Sequence, residues 1–256
     1  MKKNQNFHTY ILIVLGWTYT FWILAGVISS MNPAWFGITV LHFLGGIGPL
    51  VATIFVVSQT KNWREYLSRL IKFSSLFPTG WLIIFTPIIF TFTANMIANG
   101  TITFSADFIN QGLFYAVFLF FFGPLPEELG WRGVLFEGLF SRSILKAQVV
   151  TAAVWLSWHI PLFFIVGSYQ WGVGFGTLDF LFWAVGLILQ SIIMGYLYIL
   201  SKRSIPSAVL FHYMVNLVGE AFDTDVTTQI LIMVFYAVLA LGLGIFYSKK
   251  YLKTEN

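Results

Sequence analysis

The chain has 256 residues, of which 58% are hydrophobic, 19% aromatic and only 9% charged, against about 25% charged residues in ordinary soluble domains. So little charge cannot keep the chain in water. A mean hydropathy of +0.81 agrees that lipid is the solvent for most of it, and nucleic-acid binding is excluded as a main function. With no cysteine there are no disulfides, thiolate metal ligands, iron–sulfur clusters or cysteine nucleophile.

A helix needs roughly 20 apolar residues to cross a hydrocarbon core of ~30 Å. Eight such runs can be drawn: Tyr10–Ile28, Trp35–Val57, Trp81–Ala98, Leu113–Leu139, Ala147–Val166, Leu178–Leu200, Ile205–Gly219 and Ile230–Tyr247. The expected fold is therefore an all-α membrane protein, a polytopic bundle of about eight transmembrane helices in a single integral membrane domain, residues 1–256. The first run is longer than a signal-peptide core and no small-residue cleavage site follows it, so it reads as a retained anchor.

Lys and Arg in short loops stay in the cytoplasm. Lys2 and Lys3 precede the first run. Lys61, Arg64, Arg69 and Lys72 follow the second, Arg142 and Lys146 the fourth, Lys202 and Arg203 the sixth, and Lys249, Lys250 and Lys253 the eighth. The alternate loops carry no Lys or Arg, and the last of them holds Glu220, Asp223 and Asp225. Both termini are expected in the cytoplasm. Of the 14 basic residues, only Arg132 falls inside a run. Within residues 61–77, Trp63, Tyr66, Leu67, Leu70 and Ile71 recur at helical spacing beside Arg64, Arg69 and Lys72, which predicts an interfacial helix lying on the inner leaflet. No internal repeat of the transporter kind is visible.

Charges inside the bilayer cost about 2.5–3.5 kcal/mol each and are functional candidates by default. The fourth run reads Gly123-Pro124-Leu125-Pro126-Glu127-Glu128-Leu129-Gly130-Trp131-Arg132-Gly133. Pro124 and Pro126 lack amide donors, so the helix is expected to break there and restart with the two acids in its first turn, where the helix dipole favours anions. At 100° per residue the two acids diverge. Glu128 and Arg132, four apart, can pair. Glu127 is left as the group for a general base, since a low dielectric moves carboxyl pKa values toward the useful range.

Of the four histidines, His8 is at the chain start and His42 has no patterned partner. His159 and His212 differ, because depth can be estimated for them. Counting from Lys146, Arg203 and Arg142, residues His159, His212 and Glu127 lie about 20, 14 and 22 Å from the inner surface at 1.5 Å per residue. All three can reach one layer, and Asn216 shares a helix face with His212.

A carboxylate, two imidazoles and an amide are the parts for activating water. Glu127, helped by His159, would take the proton as water attacks an amide carbonyl, while His212 and Asn216 donate to the oxyanion. The alternative is a Zn²⁺ ion held by Glu127, His159 and His212, although the H-E-x-x-H helix signature is absent.

At these residues the chain resembles the CPBP family of intramembrane proteases (the Abi family), which includes CAAX prenyl endopeptidases and bacterial members linked to bacteriocin immunity. Three motifs carry the resemblance: E-E-x-x-x-R at Glu127, Glu128 and Arg132; aromatic-x-x-x-H at Trp155 and His159; and H-x-x-x-N at His212 and Asn216. The family usually has Phe where Trp155 stands, a departure that touches local packing. The resemblance is strongest over residues 121–217. It implies a helical endopeptidase with Glu127 as activating base, Glu128 and Arg132 in support, and His159, His212 and Asn216 completing the site, by a metal-independent glutamate mechanism or a metal-dependent one. The implied partners are membrane lipid and a peptide or membrane-anchored protein, with no nucleic acid. The implied location is a bacterial plasma membrane, with the site toward the cytoplasm. Two rivals share the same residues: an immunity protein that binds without cutting, and a transporter using the buried charges as a proton relay.

Overall fold

Lipid offers no partner to a bare amide, so a spanning segment must satisfy its backbone internally. In the computed structural model, which describes residues 7–73, 78–140 and 143–249, the apolar runs accordingly form helices. No strand occurs among the described residues apart from one isolated bridge, Phe104 to Phe222. The chain is a polytopic all-α membrane protein, and among the described residues seven helical segments are long and apolar enough to cross a bilayer.

In chain order the first run is α1 (Phe7–Met31). The second is divided at Ile47 into α2 (Gly37–Gly46) and α3 (Gly48–Thr60). A short α4 (Trp63–Leu70) and then α5 (Pro78–Asn99) follow. The fourth run is one helical stretch from Ala106 to Phe140, too long for a single ~30 Å crossing at 1.5 Å per residue, and it is interrupted. α6 (Ala106–Phe122) contains a kink at Gly112, whose φ of 66° only glycine adopts cheaply. α7 (Pro124–Gly130), a π-helical turn (Trp131–Phe136) and α8 (Glu137–Phe140) complete the stretch. Beyond it lie α9 (Ile144–His159), a 3₁₀ turn (Ile160–Phe164), α10 (Tyr169–Val173), α11 (Leu178–Leu200), α12 (Ile205–Ala221) and α13 (Val226–Tyr247). The seventh expected span corresponds to α12, which at 17 residues falls outside the seven segments of membrane length found among the described residues.

The chain forms two compact units, each discontinuous. One comprises Met1–Leu70 and Leu125–Ala184; the other comprises Ile71–Pro124 and Val185–Asn256. In the first, α1 packs against α2, α3, α9 and the π turn. Polar atoms tie these apolar surfaces together. Thr18 Oγ1 donates to the Gly45 carbonyl at 2.8 Å and accepts from Trp158 Nε1 at 2.8 Å, while Trp22 Nε1 donates to the His42 carbonyl at 2.8 Å. In the second unit, α5 packs against α12 and α13, and α12 against α6. The loops before α6 and after α12 are joined by Ser105 N–H to Ala221 O at 2.9 Å and Asp223 N–H to Thr103 O at 3.0 Å.

The predicted interfacial segment is only partly what the pattern suggested. Trp63, Leu67 and Ile71 are exposed, but Tyr66 and Arg69 are buried. Arg69 pairs with Glu137 at 3.5 Å and so does not serve as a lipid-facing charge. Residues 74–77 of that segment, and Lys2, Lys3, Arg142, Lys250 and Lys253 of the charge pattern, lie outside the described residues.

Asp225 caps α13, its side chain accepting from the Thr228 amide at 2.8 Å. The Thr228 hydroxyl and amide together hold its carboxyl below the ordinary value. A depressed native pKa contributes stability that is fully present above the unfolded value of about 4 and lost as pH falls through the native one. Asp225→Ala should therefore melt below wild type in detergent at neutral pH, and the two melting curves should merge on acidification to pH ~2. A gap of constant size across that range would contradict this role.

Candidate active site

The break expected at the two prolines is present. α6 ends at Phe122, and Gly123 leaves the helix at φ −120°, ψ −96° before Pro124 starts α7. Glu127 stands in the first turn of α7. The two acids do diverge. Glu128 and Arg132 are both wholly buried, and Arg132 Nη1 donates to both carboxylate oxygens of Glu128, at 3.0 and 2.8 Å. In a low dielectric this pairing is what makes either charge tolerable.

Glu127, 7% exposed, turns toward aromatic side chains instead. Its Oε2 accepts from Trp155 Nε1 at 2.8 Å and from Trp131 Nε1 at 3.3 Å. His159, at the last position of α9, is 9% exposed. Its Nδ1 lies 2.8 Å from the Trp155 carbonyl; a carbonyl only accepts, so Nδ1 carries a proton and donates it there. The imidazole is set among aromatic edges, 4.7 Å from Trp158 and 5.3 Å from Trp183 between ring centroids. Arg132 lies 5.6 Å from the Trp155 ring. Glu127, Glu128, Arg132 and His159 are thus gathered within the first unit, with Trp155 touching three of them.

Neighbouring helices close on this segment through glycine. A Cβ at Gly130 would collide with Tyr10 Oη and come within 2.9 Å of the Pro49 carbonyl, so α1 and α3 approach α7 only because that Cβ is missing. Tyr66 of α4 donates its hydroxyl to the Leu129 carbonyl at 2.9 Å. Burial holds that phenol above its ordinary pKa, against the opposing pull of Arg69, and it stays a donor.

His212 and Asn216 belong to the second unit, one turn apart on α12. His212 is 3% exposed and Asn216 half-buried. Asn216 Nδ2 lies over the Gly123 backbone, 3.6 Å from where a Cβ would stand. His42 is in the first unit, its ring 5.8 Å from Trp22 in an edge-on contact. Among the described residues no three His, Cys, Asp or Glu side chains form a group that could hold a metal ion.

Sequence reasoning missed the indole donors Trp131 and Trp155 and the Arg69–Glu137 pair. A buried indole N–H nearly always has a partner, and Glu137 already lay inside a predicted span, where a carboxylate needs one.

Buried carboxylates and an imidazole thus lie inside a polytopic helical membrane protein. Residues 108–218 match the family model described as Type II CAAX prenyl endopeptidase Rce1-like, and Glu127, Glu128, Arg132, His159, His212 and Asn216 all fall inside the matched stretch. Over 96% of its length the chain is also 27% identical to CAAX prenyl protease 2 of Methanococcus maripaludis, covering 97% of that protein.

Removing one member of the Glu128–Arg132 pair strands a charge in the interior, and Glu128→Leu or Arg132→Leu should each destabilise by about 3–5 kcal/mol, while the double substitution should cost far less than their sum. Chemical unfolding in detergent micelles measures this. Additive losses would show that the pair is not coupled.

Proposed function

We propose that the chain is an intramembrane endopeptidase that hydrolyses a peptide bond near the C-terminus of a membrane-anchored, CAAX-type substrate, with its active side toward the cytoplasm. The observation that carries this reading is the Glu127 carboxylate and the His159 imidazole held in one buried aromatic setting, both fixed through Trp155. The domain match over residues 108–218 and the name of the Methanococcus relative, CAAX prenyl protease 2, support the choice of reaction and substrate.

In this mechanism Glu127 accepts a proton from water as the water oxygen adds to the scissile carbonyl. His159, neutral and with its lone pair at Nε2, orients that water and shares the proton. The carbonyl oxygen becomes an oxyanion, for which His212 and Asn216 serve as donors. As the C–N bond breaks, the proton taken by Glu127 passes to the departing amine, giving a carboxylate product and restoring the base. Glu128 and Arg132 neutralise one another and hold the turn from which Glu127 projects. Activation is thereby assigned to the chain's own side chains.

In proteoliposomes, with a farnesylated CAAX peptide as substrate, Glu127→Ala and His159→Ala should each lower kcat on the order of 10²–10⁴-fold, and wild-type turnover should survive a strong chelator. Undiminished cleavage by either variant removes the mechanism, whereas loss of wild-type activity to the chelator, restored by added zinc, removes the metal-independent assignment.

A further inference from the structure

Trp155 is 2% exposed and makes three contacts that a packing residue does not need. Its Nε1–H donates to Glu127 Oε2 at 2.8 Å. Its carbonyl accepts the Nδ1–H of His159, one turn on, at 2.8 Å. Its ring lies 5.6 Å from the Arg132 guanidinium. The base, the imidazole and the cation of the buried ion pair therefore all refer to one residue on α9, the first and last through its side chain and the imidazole through its carbonyl. Trp131 donates to the same Glu127 oxygen, at the longer 3.3 Å. Two indole N–H groups on one oxygen stop the carboxylate from rotating about its last torsion, which fixes the direction of its other oxygen. A phenyl ring at position 155 would fill much of the space and supply no donor.

We propose that Trp155 is a positioning residue for the hydrolysis: its indole N–H sets the direction of the Glu127 carboxylate, and so it acts on turnover and not on substrate affinity. This rests on the peptidase reading given above. Supporting groups of this kind contribute because sub-ångström misplacement of a reacting group slows chemistry without touching the parts of the site that hold substrate. The side chain carries the Glu127 bond, whereas the His159 bond belongs to the backbone and survives substitution.

The experiment separates the donor from the ring. Trp155→Phe removes both; replacing Trp155 with β-(3-benzothienyl)alanine, in which sulfur stands for the indole N–H, keeps the bicyclic shape and deletes only the donor. With the farnesylated peptide, both replacements should lower kcat on the order of 10–100-fold with KM changed by less than about twofold, and Trp131→Phe should have a smaller effect. A readout independent of activity is the indole ¹⁵N–¹H resonance of Trp155, assigned by its absence in Trp155→Phe, which should move in Glu127→Ala. An isostere that turns over as fast as wild type, a change confined to KM, or a Trp155 resonance indifferent to Glu127→Ala overturns the proposal. A wild-type chain that cleaves no peptide overturns the peptidase reading and this role with it; a wild type that cleaves beside an equally fast isostere overturns only the role of Trp155.

Discussion

A full charge in the interior of a membrane protein is tolerated only when an opposite charge meets it directly, and the Glu128–Arg132 contact, with both side chains wholly buried, imposes that condition on the fourth run. The two residues must stay one helical turn apart with their side chains on a common face. Pro124 and Pro126 fix where that helix begins, so its rotation is set from both ends. Glu127, adjacent to Glu128, is then carried away from the pair and toward α9. The position of the proposed base is thus a consequence of where the cation must sit, and indole donors hold its carboxylate in place.

The helices around this segment are shaped to allow it. Gly130 lets α1 and α3 approach, Tyr66 of α4 grips the Leu129 carbonyl, and Arg69 reaches Glu137 just past the π turn. π turns are uncommon and concentrate at functional sites. Here the wide turn carries Arg132 and separates Glu127 and Glu128 from Glu137. α4 spends one face on this bracing and leaves Trp63 and Leu67 exposed, which divides the single apolar stripe visible in the sequence into a protein-facing and an outward-facing part.

Much of this was legible beforehand because lipid simplifies the code. Apolar length located the spans, and the start of the fourth at Leu113 coincides with the kink at Gly112. Proline chemistry located the break, and i,i+4 spacing located the ion pair. What escaped was whatever depends on contacts distant in sequence. Nothing local told Tyr66 and Arg69 to turn inward, and the π turn has no sequence period of its own. Trp155 read as a packing variant of an aromatic position because its donor matters only once Glu127, 28 residues away, is opposite. The length of α12 was also a matter of degree: Pro206 and the loop after Ala221 bound it at 17 residues.

The central claim is that Glu127 and His159, held in one aromatic setting within the first unit, serve one chemical step. Residues that act as a unit are strongly non-additive, so that once one is lost the other has little left to contribute. The direct measurement is a double-mutant cycle on kcat for peptide cleavage, using Glu127→Ala, His159→Ala and the double variant. The account predicts a double variant no slower, within about threefold, than the slower single one; losses that multiply across the two substitutions would contradict it.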